Sequence, residues 1–350
     1  MSVEVGGCCL FWDAAAAERP QRTGGTDAIC READRQWCGK PVRGLPQLVL
    51  ALLLSLFTLV PRASAEEAAF GFVNTTDLLP QGAKEVEQWV TWRHQKNYGS
   101  FDLVQGETEI EYGLLDNLQV ALGANYAWNQ AFKNGPFGVT TPGEQFSYST
   151  PGPNDHFAQS RFISISGEIY YRILSPYTDP FGFAVYAEPE IGDKFREYTA
   201  KLIFQKNFLD DRLVFALNFT YAPELRNLPQ ANSAVDCHGA PSCWSEETDV
   251  NIGFAGSYRF VDNWSFGFEF ENEMEFTQSY TFQHLANSGY YFGPTLHYGG
   301  ERFFVTVTPL VQLPFATIHE ASVPGAIVNG IDGDNDFEKF RLRVKAGFTF

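Results

Sequence analysis

Glu107, Glu109 and Glu111 occupy alternate positions, and Glu269, Glu271, Glu273 and Glu275 repeat that spacing. In an extended strand a spacing of two puts every such side chain on one face. Enclosed carboxylates of this kind either pair with bases as salt-bridge ladders or tune the selectivity of a watery passage. The same inward register holds Glu85, Glu87, Glu168, Glu188 and Glu190. It also holds the bases Arg93, Arg172, Lys201, Arg212, Arg259, Arg302, Arg341, Arg343 and Lys345. Arg259 and Arg302 are the expected partners of the 269–275 run. Acids outnumber bases on this face, a bias that favours cations or neutral solutes over anions. Conductance of a Glu271→Gln/Glu273→Gln variant separates the two roles.

Other chemistry is sparse. Asp332, Asp334 and Asp336 alternate in IDGDNDFE, a spacing used by calcium loops, but no Gly follows Asp336 and no Glu stands at the twelfth position, so a solvated loop is the plainer reading. A histidine and a serine two residues apart would suit a lipid hydrolase. His94, His156, His238, His284, His297 and His319 are instead followed at that distance by Lys96, Ala158, Ala240, Ala286, Gly299 and Ala321. No G-x-S-x-G elbow is present. His297 and Glu269 could meet across strands, a pairing more often structural than catalytic. No enzyme and no cofactor is expected.

Twelve runs of period-two hydropathy must position these residues, near 84–94, 101–114, 118–128, 161–174, 181–190, 197–208, 212–222, 248–260, 264–276, 289–298, 302–313 and 338–350. In 264–276 Trp264, Phe266, Phe268, Phe270, Met274 and Phe276 alternate with glutamates, and Asn272 alone breaks the apolar row. Short links such as Leu209-Asp210-Asp211 and Val261-Asp262-Asn263 alternate with long ones at 129–160, 223–247, 277–288 and 314–337. Asp and Asn tolerate tight-turn dihedrals. Alternation of short and long links suits an up-and-down meander with two different rims. The Gly/Pro/Ser-rich 134–155 link, with Phe137, Phe146 and Tyr148, either folds inward as a constriction or lies outside as a contact surface.

Two architectures use such strands. A soluble sandwich turns its phenylalanines inward, whereas a membrane barrel turns them to lipid and encloses the charges. Trp92, Trp128, Tyr171, Tyr221, Trp264 and Tyr298 stand at strand ends, where a bilayer interface accepts them as aromatic girdles. An even strand number with both ends at one rim permits closure without open edges. The fold expected is therefore all-β, a transmembrane antiparallel up-and-down β-barrel of about twelve strands.

Leu48–Val60 is the one long apolar run, too short to span hydrocarbon. With Lys40 and Arg43 before it and Ala63-Ser64-Ala65 after, it reads as a cleavable signal peptide over 42–65. Residues 1–41 read as an unstructured leader or an over-extended reading frame, and 66–350 as the barrel. Cys237 and Cys243 are the cysteines left past the cleavage site, and in an exported chain they suit a small loop disulfide. The 32 Phe, 15 Tyr and 7 Trp exclude a disordered chain, and 42 acids against 25 bases, a net charge of −17, exclude nucleic acid as a partner.

The closing RLRVKAGFTF, Arg341 to Phe350, resembles the C-terminal signal of bacterial outer-membrane barrels, which the barrel assembly machinery recognises. ETEIEYGLLDNLQVALGANY, Glu107 to Tyr126, resembles an uncharacterised family of porin-like barrels, a likeness of style over roughly 70–350. The resemblance implies a Gram-negative outer membrane, contact with its lipids and lipopolysaccharide, and periplasmic termini. It transfers no functional residue. The function expected is a passive, mildly cation-preferring diffusion channel for small solutes. A closed structural or adhesive barrel displaying long extracellular loops is the alternative, and an outer-membrane lipid-modifying enzyme a more distant one.

Overall fold

A computed structural model describes residues 69–96, 99–132, 146, 156–229, 237–276, 282, 285–314, 327–328, 331–332 and 337–350. The leader and the signal segment lie outside them. Twelve strands form one closed antiparallel barrel: β1 (Lys84–His94), β2 (Ser100–Leu115), β3 (Leu118–Phe132), β4 (His156–Leu174), β5 (Gly182–Gly192), β6 (Phe195–Phe208), β7 (Leu213–Pro229), β8 (Ser242–Val261), β9 (Trp264–Phe276), β10 (Leu285–Gly299), β11 (Phe303–Gln312) and β14 (Phe340–Thr349). A two-residue hairpin, β12 (Ile327–Val328) with β13 (Ile331–Asp332), falls between the last two. Each barrel strand pairs with its neighbour in sequence, and β14 closes the ring on β1, with Glu85 opposite Thr349 and His94 opposite Phe340. Closure leaves no edge, so every ladder amide is paired without water.

The faces are those of a barrel that meets lipid. Leu122 is 72 % exposed and Ile165 61 %, while Glu85 and Glu269 are fully buried. Phe254, Phe260, Phe266 and Phe292 are exposed on the outside. Trp92, Trp128, Tyr171 and Trp264 stand among the exposed rings at the strand ends. This is the reverse of a soluble β protein. Asn272, which interrupts the outer row of β9, has its amide satisfied by Ser288 Oγ and the Gly289 carbonyl, both at 3.2 Å.

Short turns and both strand termini share one rim: Phe350 N–H donates to the Lys84 carbonyl there. The tight connections use left-handed backbone at Asp210, Asp211 and Asn263, as expected of residues whose short polar side chains tolerate it. Long links gather at the opposite rim. One of them carries Cys237, whose disulfide to Cys243, with Cα atoms 5.3 Å apart, ties the link to the start of β8.

Candidate functional site

The inward faces of β1 to β5 form an acid-rich wall. The period of two delivers Glu87 from β1, Glu107, Glu109 and Glu111 from β2, Glu168 from β4, and Glu188 and Glu190 from β5. Neutral donors hold most of them. The Trp89 indole N–H donates to Glu107 and Glu109, both at 3.2 Å, the Gln119 amide to Glu111 at 2.8 Å, and the Tyr186 hydroxyl to Glu188 at 2.7 Å. Ser166 donates to Glu107, and Ser164 to Glu190. Lys345 pairs with Glu87 at 2.9 Å. Among the described residues no ion pair reaches Glu107, Glu109, Glu111, Glu168 or Glu188. Two like charges 4 Å apart repel by about 4 kcal/mol at an effective dielectric near 20. Both Glu87–Glu109–Glu111 and Glu107–Glu168–Glu188 bring three carboxylate oxygens within 4.8 Å of one another. Full ionisation of this wall is therefore costly unless a cation shares it.

Toward β9 the acids are bridged by arginine. Arg341, on β14, is fully buried and donates through Nη1 to Glu271 at 3.2 Å, through Nη2 to Glu273 at 2.5 Å and through Nε to Glu338 at 2.5 Å. Its guanidinium lies 3.6 Å from the centroid of the Tyr291 ring. Arg93 adds a second contact to Glu338 at 3.2 Å. The planar fork of arginine suits such simultaneous carboxylate recognition.

A strap crosses the lumen between these walls. Residues 69–83 precede β1 and follow the inner surface near the short-turn rim, and only at Gly82 and Ala83 do they meet the sheet backbone, at Gly113 of β2. Gly71, Phe72 and Val73 turn three successive N–H groups onto the Glu269 carboxylate at 2.7, 2.7 and 3.0 Å. Such a concave row of amides is an anion-binding nest. Further along, Asn74 exchanges hydrogen bonds with Asn218 at 2.6 and 2.9 Å, Thr76 N–H donates to Gln205 at 2.6 Å, and Leu79 N–H to Gln119 at 2.8 Å. The Tyr170 hydroxyl donates to the Thr75 carbonyl. Phe70 and Val73 pack on Ala216 and Ala255, and Phe72 on Tyr291, Leu310 and Phe337. Gly71 has no substitute, because a Cβ there would stand 2.7 Å from Thr308 Oγ1. Arg343 lies between the strap and the wall, 4.2 Å from the Phe72 ring and 4.5 Å from that of Trp89.

Above this floor opens a cavity of about 420 Å³, bordered by strap residues 71–75, by the acid-rich wall and by Glu271, Glu273 and Arg343. Toward the long-loop rim the lining turns apolar. Phe146 is fully buried there among Phe101, Leu103, Ala127, Ala131, Ile163 and Phe195. That residue of the 134–155 link therefore sits inside the mouth, whereas Phe137 and Tyr148 lie outside the described residues.

Several sequence expectations change in detail. Arg259 and Arg302 do not serve the 269–275 run. Both lie at the short-turn rim, where Arg259 offers its carbonyl to Arg212 and Arg302 its carbonyl to Thr349 N–H. Strand pairing carries them below the glutamates, and Arg341 takes the partnership from across the lumen. Glu269 is held by the strap and by Thr308 Oγ1 at 2.7 Å, and Glu275 receives the Asn287 amide at 2.6 Å. His297 does not meet Glu269: its Nδ1 lies 2.8 Å from Thr306 Oγ1, and register places Ser265 opposite it and Gly293 opposite Glu269. Asp334, Asp336 and the side chain of Asp332 lie outside the described residues. The strap itself was missed from sequence. Its one signal was negative: Phe70, Phe72, Val73, Leu78 and Leu79 follow neither a strand nor a helix period.

Residues 62–350 match the sequence profile described as a family of unknown function, DUF6662. No curated protein matches. Among solved structures the chain is similar to the COG4313 outer membrane channel of Pseudomonas putida F1, at 10% identity over 79% of this chain and 98% of that one, with a TM-score of 0.50. It is also similar to the NanC porin, at 10% identity over 75% and 98% with a TM-score of 0.43, and to the KdgM porin, at 11% over 75% and 99% with a TM-score of 0.38. At these identities the likeness speaks for fold alone, and that fold is the outer-membrane β-barrel.

Proposed function

Because this chain belongs to DUF6662, a family of unknown function, its role has to be read from its own lumen, and we propose that it is a porin-like outer-membrane channel for small solutes with a mild preference for cations. The observation that carries this reading is the cavity of about 420 Å³ whose wall presents seven inward glutamates from β1 to β5 against, among the described residues, one ion pair, that of Lys345 with Glu87. A low-dielectric tube focuses their potential on whatever enters. The short-turn rim faces the periplasm in this reading, and the strand ending in Phe350 is offered to the assembly machinery from that side.

Planar-bilayer recording in a potassium chloride gradient tests it. A small conductance with a cation-selective reversal potential is expected. Glu107→Gln/Glu109→Gln/Glu111→Gln should move that potential toward zero, while Glu271→Gln/Glu273→Gln, whose carboxylates are tied up by Arg341, should move it less. An anion-selective wild type would reverse the assignment.

The strap favours a second reading, a closed barrel that displays its long loops. Liposome swelling decides between them. No uptake of small sugars, together with no conductance, selects the closed form.

Cleavage after Ala65 belongs to the same proposal. It would leave three residues, Glu66 to Ala68, ahead of the described strap. N-terminal sequencing of the membrane-extracted protein should read Glu66 first, and a mature chain that retains Cys8 would refute it.

A further inference from the structure

Glu107, Glu168 and Glu188 reach inward from β2, β4 and β5, and one oxygen from each lies within 4.8 Å of the others. Ligands on opposite sides of a calcium ion stand about 4.6–5.2 Å apart, since each bond is about 2.3–2.6 Å. The strand between them is shaped for this convergence. Gly123 of β3 leaves the space into which Glu107 leans, because a Cβ there would collide with Glu107 Oε1 and Ser166 Oγ. One residue further up the same inward face, Asn125 borders the same cavity and is 8 % exposed, and its amide nitrogen has no hydrogen-bond partner. A buried amide without a partner is rare in a folded protein. Beside an ion it offers a carbonyl oxygen as ligand or an N–H to a retained water. The nearby bases are engaged elsewhere: Lys345 by Glu87 at 2.9 Å, and Lys201 by Asn74 at 3.1 Å and by the Tyr186 ring at 4.4 Å.

We propose that Glu107, Glu168, Glu188 and Asn125 form a lumenal binding site for one hard divalent cation of the calcium and magnesium class. The donor set is all oxygen and amide, with no histidine or cysteine, which selects against zinc and copper. Three carboxylates converging from three strands would tie one side of the barrel together at mid-height. The site deepens the cation-preferring lumen proposed above, yet it is read by binding and needs no current to flow.

Terbium luminescence on the intact barrel in detergent tests it, because the Tyr186 hydroxyl and the Trp89 indole each donate to a ligand carboxylate and so stand close enough to sensitise the ion. A single saturable signal displaced by calcium is expected. Glu168→Gln/Glu188→Gln should weaken terbium at least tenfold. Gly123→Ala should weaken it while keeping every carboxylate, which covers the case in which the double variant fails to fold. Glu301→Gln, on the exposed rim, serves as control. Terbium that binds equally well to wild type, Glu168→Gln/Glu188→Gln and Gly123→Ala would overturn the site, as would no saturable signal at millimolar calcium-competable concentrations. Binding without conductance would sink the channel reading and leave this one standing.

Discussion

Arg341 shows how one side chain ties several acids together. Its guanidinium has no access to solvent and meets Glu271, Glu273 and Glu338 while lying on the Tyr291 ring. Removing one partner from a buried network leaves the others charged and unpaired, at a cost of about 3–5 kcal/mol. Arg341→Ala should therefore lower the urea midpoint of the refolded barrel strongly. Arg341→Lys, which keeps the charge without the planar fork, should fall between Arg341→Ala and wild type. An alanine variant as stable as wild type would show that water already solvates these glutamates. The inward direction of Arg341 was legible from its parity with Arg343 and Lys345. Its partners were not, because only closure of β14 between β1 and β11 sets the chord across which it reaches β9. Arg259 and Arg302 looked nearer in sequence and lie at the wrong height.

At the level of the element, strands and strap obey different rules. A strand in a bilayer must alternate, since one face meets hydrocarbon and the other the lumen, and that alternation let all twelve be read. Their short-turn ends fall where expected, whereas β3, β4, β7, β8 and β10 run further into the long links, to Phe132, His156, Pro229, Ser242 and Leu285. Leu122→Arg on the exposed face of β3 should accordingly destabilise the barrel by about 2–4 kcal/mol if it lies near the midplane, read as a lower denaturation midpoint in lipid vesicles. From Gly71 to Leu79 the strap faces no lipid and is held by wall side chains at irregular intervals, Glu269, Asn218, Gln205 and Gln119 in turn, so no period records it. Its hold is concentrated on one carboxylate. Hydrogen bonds to a charged group contribute about 1.5–3 kcal/mol each before solvent and geometry are discounted, so Glu269→Ala should free the 71–73 segment more than loss of Asn218 or Gln205. Faster amide exchange at Gly71–Val73, with the strands still protected, is the expected signature. Unchanged exchange would mean that the apolar anchors Phe70, Val73 and Leu79 suffice.

The whole molecule combines an acidic cavity with a floor, and the two set opposing demands on transport. The cavity concentrates cations, yet the strap stands between it and the short-turn rim, so flow depends on whether the strap yields or leaves a gap beside it. A reversible lock distinguishes these. A Cβ placed on Gly253 would stand 3.0 Å from Val73 Cγ2, close to the about 3 Å that separates a Cβ from the distal sulfur in a disulfide of ordinary bond lengths. Val73→Cys/Gly253→Cys should therefore cross-link strap to wall with little distortion. If the strap must move for ions to pass, the oxidised variant conducts less than wild type and recovers under reductant. Wild type treated in the same way controls for reduction of Cys237–Cys243. Equal currents before and after reduction would show that ions pass beside a fixed strap. The selectivity would then be set by the remaining gap together with the glutamates of β2, with no contribution from strap movement.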